Sequence, residues 1–109
     1  MTVLVIHFGL NADEQENAVK TIIENAPLEK CILMGDFNVE PNNPILDPIR
    51  NLMKDTSDGF CQGKPSFPSD NPRIKIDYIF VSKDIEVVKA DIPEIIASDH
   101  RPHTAEIAF

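Results

Sequence analysis

The stretch Ile74-Lys-Ile-Asp-Tyr-Ile-Phe-Val81 reads as the body of a strand that runs from Ile74 to Ser82: β-branched and aromatic residues dominate it, with Pro72 before it. Alternation puts Ile74, Ile76, Tyr78 and Phe80 on one face, and Lys75, Asp77, Ile79 and Val81 on the other. The first set is a core face. The second carries a carboxylate in an otherwise mostly apolar strand, which is costly if buried without partners. Asp77 therefore needs a cation or a hydrogen-bond donor beside it. His100 is the natural candidate, because a carboxylate fixes an imidazole's tautomer and raises its pKa.

Outward from this strand, the pattern predicts alternating elements. Thr2 to Phe8 is an apolar, β-branched run with His7 near its end, a buried strand. Asn11-Ala-Asp-Glu14 matches a capping box, and the helix it opens carries Ala18, Val19, Ile22, Ile23 and Ala26 on one stripe until Pro27 stops it. Lys30 to Met34 is a second strand, ended by Gly35-Asp-Phe-Asn38. Asn43 then caps, and Pro44 begins, a short amphipathic helix running through Ile45, Leu46, Ile49, Leu52 and Met53. Residues 55–71, rich in Gly, Pro and Ser, form a long loop of the kind that is often functional. Ile85–Ile92 and His103–Phe109 complete the set as fourth and fifth strands. Strands interleaved with two helices, then a run of strands, indicate an α/β (α+β) layered sandwich with both helices on one face of a mostly antiparallel or mixed sheet.

The 109 residues suit one domain, and 42% hydrophobic with 26% charged residues is ordinary for a globular chain. A formal charge of −8 leaves no basic surplus for neutralising phosphates, which argues against a nonspecific nucleic-acid binder. A polyanionic substrate would need a local remedy such as a divalent cation on some of those carboxylates; otherwise the acidity is a solvating surface. Cys31 and Cys61 form no CxxC pattern, so neither a zinc site nor a disulfide scaffold is indicated, and a reducing, cytoplasmic setting fits. No window approaches the roughly 18 apolar residues of a membrane span. The opening Met1-Thr-Val-Leu-Val-Ile-His-Phe-Gly-Leu10 has no basic leader or small-residue cleavage site, so it reads as a strand rather than a signal peptide.

Polar residues gather where strands end: His7, Asp36 with Asn38, Asp77, and Asp99 with His100. Each has an ordinary structural reading alone: a lone histidine at a strand end is usually satisfied locally, and Gly-Asp-Phe-Asn is a common turn. Together they make a set of hard oxygens plus imidazoles. Carboxylates and an amide without a positioned thiolate favour Mg²⁺ or Mn²⁺ over zinc. Such a set suits phosphate-ester hydrolysis, in which a carboxylate handles a water and an imidazolium stabilises developing negative charge.

Four motifs in order, Ile6-His-Phe-Gly-Leu10 with Glu14-Gln15, Gly35-Asp-Phe-Asn38, Ile76-Asp-Tyr-Ile-Phe80 and Ser98-Asp-His-Arg-Pro102, resemble the endonuclease/exonuclease/phosphatase (deoxyribonuclease I-like) superfamily, and its small bacterial members most of all. The resemblance implies a divalent-metal-dependent phosphoesterase. It implies that Asp36 positions or activates the attacking water and that Asn38 steadies the phosphate. It makes Asp77 the carboxylate that orients a catalytic His100, Asp99 (with Asp36) a metal-associated aspartate, and His7 a group beside the scissile phosphate. Ile6 stands where family members often have Thr before that histidine, so a hydroxyl contact is absent there.

The family domain is a four-layered sandwich of two similar α/β halves, and residues 1–109 are expected to be a single partial domain, the second half. The first half would supply an Asn and a metal-binding Glu; Glu14, Glu16 and Glu40 lie outside that glutamate's context. Metal affinity should be reduced, and the sheet should leave an apolar face uncovered, open to self-association or to a complementing N-terminal half. The acidity favours a phosphorylated small molecule or a lipid headgroup over long nucleic acid, a preference that a local Arg73–Lys75 pair able to touch phosphates keeps modest. The alternatives are a non-catalytic truncated fragment or self-associating half-domain, and a plain α/β interaction domain.

Overall fold

The computed structural model describes residues 1–109. Strand β1 (Thr2–His7) leads into helix α1 (Ala12–Asn25) and strand β2 (Cys31–Asp36). A single 3-10 turn (Pro44–Leu46) opens helix α2 (Asp47–Leu52), which passes directly into strand β3 (Met53–Asp55). Strands β4 (Asp77–Ser82), β5 (Glu86–Asp91) and β6 (Thr104–Ala108) follow. The main sheet has the order β1-β2-β4-β3, with β1 and β2 parallel and the other pairings antiparallel; β5 and β6 form a separate antiparallel hairpin sheet. The chain is thus a mixed α+β layered fold, as the pattern predicts.

The predicted caps form. Asn11 accepts the Glu14 amide through its side chain at 2.8 Å, and Asn43 accepts that of Ile45 at 3.0 Å with Pro44 following. Both helices lie on one face of the sheet. Val19 and Ile22 of α1 and Ile49 of α2 join Cys31, Leu33, Tyr78 and Phe80 in the main core, which Phe8, Phe37 and Leu46 extend. Burying such side chains is worth about 2 kcal/mol each and is what selects this face.

Three details depart from the pattern. Met53 is not the last turn of α2 but the first residue of β3, a three-residue edge strand too short to signal itself. Residues 74–76 are extended but lie past the last β2–β4 pair, so the regular strand starts at Asp77; Ile74 makes only an isolated bridge to Phe67. Lys75 does not share an accessible face with Asp77. It is 4% exposed, lies 4.0 Å over the Tyr78 ring and 3.7 Å from the Asp55 carboxylate, and so is unavailable to phosphate; Arg73 alone remains exposed.

The sheet's other face is partly open. Val3 and Val5 are 50% and 74% exposed, and their cross-strand neighbours Ile32 and Met34 are half-buried. No helix is long and apolar enough to cross a membrane.

Candidate active site

The strand register assembles the site. In the parallel β1–β2 pair His7 stands opposite Asp36, and in the antiparallel β2–β4 pair Asp36 stands opposite Asp77. One rung at the end of the sheet therefore carries His7, Asp36 and Asp77 side by side, on the face away from the helices. Directly opposed residues share a face with Cβ atoms about 5 Å apart, so pairing alone brings the three within reach. Asp77 is consequently at the start of its strand, half-buried at the sheet margin, and not in the strand's middle.

Gly35 permits this arrangement. Its φ is +144°, and a Cβ there would lie 1.9 Å from the Ile6 carbonyl oxygen, so only glycine lets β2 approach β1 just before Asp36. After Asp36 the chain turns. Asp36 Oδ1 accepts the Asn38 amide at 2.8 Å, Asn38 takes a left-handed conformation (φ +51°), and its Nδ2 donates to the Phe8 carbonyl at 2.6 Å. That leaves Asn38 one amide hydrogen and its Oδ1 for a ligand.

His100 closes the cluster from the loop before β6. Its Nδ1 lies 2.7 Å from Asp77 Oδ2, and its Nε2 lies 3.6 Å from Asp36 Oδ2. An ionised carboxylate only accepts, so the Nδ1 position carries the proton and Nε2 is the working end of the ring. Burial of the imidazole favours its neutral form, but the hydrogen bond and charge of Asp77, with the charges of Asp36 and Asp99, outweigh this and hold His100 above its ordinary pKa. His7 Nε2 also sits 3.6 Å from Asp36 Oδ2, with its ring largely exposed. Both approaches to Oδ2 are too long for hydrogen bonds, so this oxygen sits beside the Nε2 atoms of two imidazoles without being bonded to either.

The donor atoms of Asp36, Asp77 and His100 lie within 4.8 Å of one another, so the three could hold a metal ion. Their two carboxylates suit a hard divalent cation, while His100 is already committed through Nδ1 to Asp77. Asp99 lies outside this trio: its side chain is exposed, its backbone carbonyl accepts the Ser69 amide at 2.8 Å, and its charge reaches His100. Glu14 and Glu40 are likewise exposed and apart from it.

The sequence did not single out Ser66, Phe67, Ser69 and Arg101. Ser66 Oγ donates to Asp77 Oδ2 at 2.8 Å, and Phe67 packs on His100 with ring centroids 4.8 Å apart. Arg101 Nε donates to the Ser69 carbonyl at 2.9 Å. The serines of the 55–71 loop hinted at the first three without naming their partners, and Arg101 stood within the Ser98–Pro102 motif with no role assigned to it.

The chain is an α+β layer whose main sheet ends in a rung of carboxylates and imidazoles. The chain belongs to the Endonuclease/Exonuclease/phosphatase family, whose sequence profile matches residues 5–100. Its fold is similar to that of the mannosyl-6-phosphatase Bt3783 of Bacteroides thetaiotaomicron VPI-5482, with a TM-score of 0.83, 20% identity and coverage of 98% of this chain and 51% of that one. A conserved protein of Enterococcus faecalis V583 is similar at a TM-score of 0.80 and 24% identity, covering 97% of this chain and 49% of that one. An endonuclease/exonuclease/phosphatase of Bacteroides vulgatus gives a TM-score of 0.77 at 24% identity, covering 94% and 47%. The chain thus spans about half the length of the solved structures it matches. No curated protein matches the chain.

Proposed function

We propose that the rung of His7, Asp36 and Asp77, completed by His100, is the hydrolytic centre of a phosphoesterase acting on a phosphorylated small molecule. The observation that carries this reading is the Asp36–His100–Asp77 arrangement at one sheet end, with His100 Nδ1 2.7 Å from Asp77 Oδ2 and His100 Nε2 3.6 Å from Asp36 Oδ2. Asp36 orients a water there and accepts its proton as the water oxygen bonds to phosphorus. The bond from phosphorus to the leaving oxygen breaks, and that oxygen takes up a proton from bulk water. In its imidazolium form, which the Asp77 carboxylate favours, His100 donates from Nε2 to a non-bridging oxygen as negative charge builds. Asn38 and His7 hold the phosphate from either side.

Asp36 would hold Mg²⁺ or Mn²⁺, which when bound would neutralise phosphate charge and polarise the ester, and Asp99, exposed and outside the Asp36–Asp77–His100 cluster, would join only as an additional ligand. The net charge of −8, the buried Lys75 and the likeness to a mannosyl-6-phosphatase favour a small phosphorylated compound or lipid headgroup over long nucleic acid. The two unpaired, buried cysteines favour a reducing, cytoplasmic setting.

Residues 1–109 are read as one partial domain, completed by a second α/β layer seated on the open face around Val3 and Val5, from a complementing N-terminal half or a second copy. The test is turnover of p-nitrophenyl phosphate and bis-p-nitrophenyl phosphate with Mg²⁺ or Mn²⁺, before and after chelation. Turnover that disappears with chelator, in Asp36→Ala and in His100→Ala, is the expected result. Equal background in all three proteins would leave the second reading, a non-catalytic half-domain, which the open face and the half-length coverage favour.

A further inference from the structure

The loop that carries His100 is held almost entirely by one short segment, Ser66-Phe-Pro-Ser69. The Arg101 amide donates to the Ser66 carbonyl at 2.7 Å, and the Ser69 amide donates to the Asp99 carbonyl at 2.8 Å. Ser69 Oγ donates to the Ser98 carbonyl, and the Phe67 ring packs on the imidazole itself. These contacts hold residues 98–101 through both backbone and side chain.

Ser66 does more than grip the backbone. It is fully buried, and its hydroxyl has two neighbours within hydrogen-bond distance: Asp77 Oδ2 at 2.8 Å and the Ile76 amide nitrogen at 3.3 Å. The Ile76 amide can only donate, so the single hydroxyl proton is committed to Asp77. Asp77 Oδ2 accepts from both Ser66 Oγ and His100 Nδ1, and the two donors fix the carboxylate's rotation about its χ angles.

We propose that Ser66 is a positioning residue for His100, acting through Asp77: its hydroxyl locks the carboxylate that orients the imidazole, while its carbonyl anchors the loop on which that imidazole rides. The consequence for turnover rests on the phosphoesterase reading given above; the orienting of His100 does not. Ser66 touches no reacting atom. It sets which way Nε2 points and keeps Nδ1–H engaged when His100 exchanges its Nε2 proton.

The test is proton NMR of the 109-residue chain at low temperature, following the downfield Nδ1–H resonance of His100, assigned by its loss in His100→Gln. In Ser66→Ala this resonance should broaden, with solvent exchange faster by about tenfold, the factor one hydrogen bond to a charged group is worth. Ser66→Thr should restore it. Ser66→Ala keeps the Ser66 carbonyl and its bond to the Arg101 amide, so an unchanged resonance in that variant would overturn the proposal, as would its absence from the wild-type chain. Should Ser66→Ala fail to fold, Ser66→Cys retains nearly the same volume with only a weak donor, and an unchanged signal there overturns it equally. Where turnover is measurable, kcat should fall about tenfold in Ser66→Ala with KM little changed. A chain with no turnover but a serine-dependent resonance sinks the phosphoesterase reading alone.

Discussion

Asp77 illustrates how one carboxylate sets the state of a neighbour. It holds the His100 imidazole above its ordinary pKa despite partial burial, so the proton is retained further into the neutral range. Asp77→Asn removes that charge while keeping a similar shape. Activity should fall on the order of 100-fold, and the alkaline limb of its pH profile should move to lower pH. His103 is the opposite case. Both its ring nitrogens are shielded from solvent without a hydrogen-bond partner, and burial, with the Lys75 charge, pushes its pKa down to about 4. Asp55, Asp77 and Asp91 oppose this without prevailing. The folded value lies below the unfolded one, so the unfolded chain binds the proton more readily. Stability is therefore full above about pH 6.5 and declines as pH falls towards 4, by on the order of 3 kcal/mol. His103→Val should abolish most of that acid-side loss, read as the difference in urea midpoint between pH 7.5 and 4.5.

At the scale of elements, the junction of β1 and β2 decides whether the site exists. Gly35 brings the strands together with a backbone that a side chain would clash with, 1.9 Å from the Ile6 carbonyl. Gly35→Ala should cost about 3 kcal/mol or more, because neither strand can retreat without breaking the ladder that sets His7 beside Asp36. Chemical denaturation gives the stability, and loss of any His100-dependent turnover gives the effect on the site. The caps, the apolar stripe of α1 and the alternation of β4 were all legible in the sequence, because each depends on near neighbours in the chain. The edge strand β3 was not: three residues carry too little periodicity, and only pairing with Ser82, Val81 and Phe80 makes Met53–Asp55 a strand. Lys75 misled for a related reason. Alternation placed it beside Asp77, but the ladder ends at Asp77, and beyond it the chain is free to turn the lysine inward to Asp55 and Tyr78.

At the scale of the molecule, the two faces of the main sheet are unequal. One is sealed by α1 and α2, while the other exposes Val3 and Val5 next to half-buried Ile32 and Met34. A hydrophobic strip of this kind on a sheet favours association. Sedimentation of the chain should show concentration-dependent self-association, and Val5→Lys, placed on the exposed face, should shift it to monomer without lowering the thermal midpoint. A wild-type chain that stays monomeric at high concentration would count against the open-face reading.

The sequence by itself determined the residue types and the local structure. The helices, their caps, the alternating core face of β4 and the family motifs around His7, Asp36, Asp77 and His100 follow from the order of residues, because they depend on periodicity and short-range hydrogen bonding. Tertiary structure alone decided the assembly. Strand register put His7, Asp36 and Asp77 on one rung, the 66–69 segment fixed the loop of His100, and folding buried Lys75 and left His103 without a partner. These are contacts between residues tens of positions apart, and their geometry is set by packing and ladder register, which no local pattern encodes.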